Sequence, residues 1–114
     1  MPTRYYIRLP NPASARGDDP DLAFRAHGAE TFADELQHAL REDGLFQRWR
    51  MKQEEPEEVD PALGATDPAA SVIGTPDDLH VDLVAVTALP SAILRHRLAM
   101  LAGHGWELRD VTAA

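Results

Sequence analysis

Residues 80 to 88 read His-Val-Asp-Leu-Val-Ala-Val-Thr-Ala, between the turn-forming Pro76-Asp77-Asp78 and Pro90. The run is short and rich in β-branched and small apolar side chains, so it reads as a strand. Val81, Leu83 and Ala85 share one parity, and His80, Asp82, Val84 and Val86 share the other. Apolar residues on both faces belong at the centre of a sheet, with neighbours on either side. That requirement organises the reading of the rest of the chain.

Three segments offer themselves as partners. Residues 4 to 9, Arg-Tyr-Tyr-Ile-Arg-Leu, alternate at period two: Tyr5, Ile7 and Leu9 on one face, Arg4, Tyr6 and Arg8 on the other. Pro10-Asn11-Pro12 stops that strand by removing donors. Ser71 to Thr75 reads as a short strand, and Trp106 to Val111 alternates again at the C-terminal end. Two helices join these pieces. Thr31 is the expected N-cap of the first, Asp34 and Glu35 lie in its first turn, and Phe32, Leu36, Ala39 and Leu40 form one apolar stripe. Pro90 opens the second, which carries Leu94, Leu98 and Leu101 on one stripe with Arg95, His96 and Arg97 facing out. Gly103-His104-Gly105 ends it.

The stretch from Gln47 to Asp60 switches abruptly from Arg-Trp-Arg-Met-Lys to an acidic run, Glu54, Glu55, Glu57, Glu58 and Asp60. Asp43 falls on the apolar stripe of the first helix, and Asp43-Gly44 reads as a stop, with Gly44 in the left-handed conformation. Residues 45 to 53 are therefore expected as a further strand. Its parity puts Trp49 and Met51 inward and Arg48, Arg50 and Lys52 outward. Residues 54 to 70 hold three prolines and are expected as a long loop, mobile in part. Residues 13 to 29 form another loop, with one helical turn near Leu22 to Phe24.

The resulting order is β-α-β-(β)-β-α-β. It predicts an α+β, ferredoxin-like split-βαβ sandwich, an antiparallel sheet with two helices on one face. A chain of 114 residues makes one such domain, spanning 1–114. The segment Leu-Ala-Gly-His-Gly-Trp-Glu-Leu-Arg-Asp-Val resembles the end of small uncharacterised bacterial domains that finish helix–GxGWEL–strand. The resemblance covers about fifteen residues. It implies a small α+β domain and assigns no catalytic residue.

Composition excludes several functions. The chain has no cysteine, which removes disulfides, thiol catalysis and zinc–thiolate sites. A net charge of −8 disfavours nucleic acid and anionic membranes as partners. No apolar stretch approaches the roughly 20 residues that span a bilayer. Met-Pro-Thr-Arg-Tyr-Tyr has no basic region followed by an apolar core, so a cytoplasmic location is expected. Every cation but Lys52 is arginine, and alanine is abundant, a bias of GC-rich bacterial genomes. Walker, GxSxG and GxGxxG motifs are absent. None of the five histidines pairs with another at i, i+4, and Asp18-Asp19 and Asp77-Asp78 read as turn chemistry, so no metal or cofactor is expected.

What remains is the sheet face turned away from the helices. It is expected to gather Arg4, Tyr6, Arg8, Arg48, Arg50, Lys52 and Arg109 around Val84 and Val86. The same residues would also serve simply to keep an exposed face solvated. As a site, the face points to a non-enzymatic interaction module that contacts its partner through Tyr6, Arg8, Arg48 and Arg50. The partner is expected to be a second copy, giving a homodimer, or another protein. An anionic small ligand is the alternative, held by arginines in an enzyme pocket between sheet and long loop with His80 as base. A further alternative is nucleic acid on the basic face, against which the charge and the lack of an outward aromatic pair on the central strand both weigh.

Overall fold

A computed structural model describes all 114 residues. Four strands, β1 (Thr3–Leu9), β2 (Ser71–Asp77), β3 (His80–Thr87) and β4 (Glu107–Ala113), form one antiparallel sheet in the order β2-β3-β1-β4. Three helices accompany it: α1 (Ala29–Arg41), α2 (Gly44–Arg50) and α3 (Ser91–Ala102). The fold is thus α+β with an open sheet. As its composition demands, β3 lies inside the sheet, between β2 and β1.

Strand parity divides the sheet cleanly. Tyr5, Ile7 and Leu9 of β1 and Val81, Leu83, Ala85 and Thr87 of β3 are buried against the helices. They meet Phe32, Leu36, Ala39 and Leu40 of α1 and Ile93, Leu94, Leu98 and Leu101 of α3 in a single core. Close approach of α1 to β2 depends on Gly74. A Cβ there would lie 2.1 Å from the Ala29 carbonyl oxygen, which is backbone and cannot swing aside.

The expected strand over 45–53 is a helix. The apolar stripe of α1 stops because the helix ends at Arg41 and Glu42 turns extended (φ −130°, ψ 159°). That break rephases the chain, so Asp43 flanks the start of α2 and never meets a buried stripe. Leu45 and Phe46 are buried and Trp49 packs on the core at i+4 from Leu45, which is helical spacing. Gly44 is the first residue of α2, and only Gly103 among the glycines has positive φ. Seven residues make no stable helix alone. Packing of α2 on α1, α3 and the 3-10 turn Pro61–Gly64 holds it.

The long connection from 54 to 70 is fastened along its length. Arg50 Nε donates to the Pro56 carbonyl at 2.9 Å, and Arg41 Nε to Ala70 at 2.6 Å. Asp67 is the main fastening. Its carboxylate accepts from the Ala88 amide at 2.9 Å, the Thr87 hydroxyl at 2.8 Å and the Ala69 amide at 3.0 Å. Its own N–H donates to Leu40 at 2.8 Å. These donors, the Ala88 amide foremost and then the Thr87 hydroxyl, hold the Asp67 carboxyl below its usual range. Arg97 was expected outward, but it is fully buried. The loop covers it: Nη2 donates to the Ala65 carbonyl at 2.8 Å, and the guanidinium lies 5.9 Å from the Phe46 ring centre.

Two stability predictions follow from these contacts. Gly74→Ala should cost about 1–3 kcal/mol in urea unfolding, because α1 must shift off β2. Asp67→Ala should cost about 1.5–3 kcal/mol, the range for a hydrogen-bonded charged group. The folded-state pKa of Asp67 is depressed, so its contribution is present above the ordinary carboxylate pKa and is lost as pH falls through the folded value. Asp67→Asn should therefore flatten the acid limb of the stability–pH curve. An unchanged acid limb would show that the fastening contributes little.

Candidate functional site

The sheet face away from the helices is open, and register fixes what it carries. Side chains paired across neighbouring strands share a face. Ile73, Val84, Tyr6 and Asp110 are successive partners and form one row across all four strands. Ser71, Val86, Arg4 and Thr112 form the row on one side of it. Thr75, Asp82, Arg8 and Glu107 form the row on the other, and Asp77 faces His80 at the hairpin end. Tyr6, Val84 and Val86 are half-buried by their neighbours alone, and Ile73 is 68% exposed. The centre of the face is therefore an apolar patch.

Its charge differs from expectation. Arg4 and Arg8 lie on it as their parity predicted, but Asp77, Asp82, Glu107 and Asp110 share it. Arg8 Nε bonds Asp82 Oδ1 at 3.0 Å, and this bond above all holds the Asp82 carboxyl below the usual range. His80 Nε2 lies 3.3 Å from Asp82 and 3.4 Å from Asp77. A register shift between Tyr6 and Ile7 leaves Arg109 as the extra residue of a bulge on β4, paired with Glu107 at 3.3 Å. The face carries both signs of charge and is not a basic surface.

Arg48, Arg50 and Lys52 do not reach it. All three went with the strand that is in fact α2 and the turn after it. Arg48 lines a groove of about 950 Å³ between α1, α2 and the 21–25 loop, beside Leu22, Leu45 and Leu101. Arg50 serves the long loop, and Lys52 bridges Asp19 at 2.9 Å and Asp21 at 2.8 Å. Of the four expected contact residues, only Tyr6 and Arg8 lie together. Ile73 and Asp82 complete their rows and were not anticipated as site residues. The parity of Asp82 was legible, but the register that brings Ile73 beside Val84 was not.

The helical layer half-buries one histidine. His96, expected exposed, packs edge-on against Trp49 with ring centres 4.5 Å apart. Burial pushes its imidazole below the ordinary histidine range, with the Arg97 charge adding to the effect. Trp106 donates its Nε1–H to the Gly103 carbonyl at 3.0 Å and packs on the core, as Trp49 does.

No protein-family model matches the chain, and no curated protein or solved structure matches it. The site therefore rests on its own geometry.

Helical and strand readings of residues 45–53 differ in one measurable way. A strand would bury Trp49 and Met51 alike, whereas α2 packs Trp49 inward and leaves Met51 68% exposed. Trp49→Ala should cost about 2–4 kcal/mol and Met51→Ala less than about 0.5 kcal/mol in denaturant unfolding. Equal costs would contradict the helix.

Proposed function

We propose that the chain is a non-enzymatic interaction module of ferredoxin-like, split-βαβ architecture that pairs with a second copy of itself through the open face of its sheet. The observation that carries this reading is the row Ile73–Val84–Tyr6, apolar across three adjacent strands and covered by no helix. An uncovered apolar patch of this kind is characteristic of a contact surface. The strand order β2-β3-β1-β4, antiparallel throughout, supports the architecture. In it, α2 and the long loop form an insertion between α1 and β2.

Charge favours a second copy over a strongly charged partner. A two-fold contact sets one patch against itself, so it tolerates a face only if each charge can meet its opposite. Arg4 and Arg8 on β1 and Asp110 and Glu107 on the neighbouring β4 provide both signs. Two cavities, of about 950 and 320 Å³, lie among helices and loops, and neither is lined by Tyr6, Arg8 or His80. A catalytic pocket built from those residues therefore has little support.

Sedimentation equilibrium should show a reversible, concentration-dependent dimer. Ile73→Lys with Val84→Lys should raise its dissociation constant at least about tenfold, equal to about 1.4 kcal/mol, while far-UV circular dichroism stays unchanged. A wild-type chain that stays monomeric at the highest attainable concentration would sink the reading.

A further inference from the structure

The hairpin that closes β2 onto β3 brings together three side chains that strand geometry forces onto one face. Asp77 and His80 are the last registered pair before the two-residue turn Asp78-Leu79, so they face each other. His80 and Asp82 are two apart on β3, so they point the same way. The three ligand-capable atoms lie within 4.8 Å of one another. His80 Nε2 stands 3.4 Å from Asp77 Oδ2 and 3.3 Å from Asp82 Oδ2.

We propose that Asp77, His80 and Asp82 bind a divalent transition-metal ion with the coordination preferences of zinc. A tetrahedral ion with bonds of about 2.0–2.1 Å holds neighbouring ligand atoms about 3.3–3.4 Å apart. Both His80 distances already have that value. A set containing one imidazole and only three protein ligands suits zinc or cobalt, because magnesium and calcium take six or more oxygens. The fourth position is left to water.

The surroundings fix the ligand atoms. Arg8 occupies Asp82 Oδ1, which fixes the carboxylate plane and leaves Oδ2 turned toward His80. This is the role that hydrogen-bond partners of metal ligands ordinarily play. His80 and Asp82 sit on a paired inner strand, and Asp78 takes the left-handed conformation (φ 49°) that lets so short a turn close. The site comes from one chain and does not depend on self-association.

The test is isothermal titration of the chelator-treated full chain with zinc chloride at neutral pH, supported by cobalt absorption spectra. Saturation at one ion per chain is expected for the wild type and for His27→Gln, which removes an exposed imidazole outside the cluster. His80→Gln and Asp77→Asn should each weaken binding at least about tenfold. Asp77 is largely exposed, so its variant keeps the fold even if His80→Gln does not. Absence of saturable binding, or wild-type affinity in Asp77→Asn, overturns the proposal.

Discussion

The pairing of β3 with β1 is the constraint on which the other contacts depend. β3 is apolar on both faces, so it must lie inside a sheet, and β1 takes one of its sides over seven registered pairs from Thr3–Thr87 to Leu9–Val81. That register settles which residues meet the helices and which are left open. It buries Ile7 beside Leu83 and puts Tyr6 beside Val84 and Arg8 beside Asp82. A slip of one residue would exchange the two sets and place Arg8 in the core.

The helical layer answers to a different control. α1 and α3 cover the sheet, but α2 and the 54–70 segment add a partial third layer over α3. This layer explains why α3 is buried more widely than one apolar stripe requires. Arg97 lies on what would otherwise be its solvent face, and the loop carrying Ala65 closes over it. Burial of a guanidinium with a single protein acceptor is costly, and it pushes the Arg97 pKa down. The Phe46 ring and the Ala65 carbonyl offset part of that cost.

Much of this was legible in the chain. Period-two alternation located β1, β3 and β4, and the stripes of α1 and α3 followed from Phe32–Leu36–Leu40 and Leu94–Leu98–Leu101. Residues 45–53 misled because Arg-Trp-Arg-Met-Lys alternates as a strand would, while Leu45, Phe46 and Trp49 also fit a helix. Local pattern could not choose between them. The choice fell to a break at Glu42 that restarts the helical phase and to the layer α2 packs upon. The site suffered most from the error: Arg48 and Arg50 left the sheet face, and acids took their place. The convergence of Asp77, His80 and Asp82 needed the position of a two-residue turn. Placing that turn at Pro76-Asp77-Asp78 hid it, although Asp-x-x-His-x-Asp across a tight hairpin was there to be read.

The sheet has two edges, and each bears a flaw for further strand addition. β2 contains Pro76, which has no N–H to offer, and β4 is interrupted by the bulge at Arg109. Neither edge is a clean template for another chain. Growth by edge-to-edge addition would give an open ribbon with no natural limit, whereas a two-fold contact through a face would close after two copies. These small irregularities thus bear on the size of any assembly: they weigh against open-ended growth of the sheet.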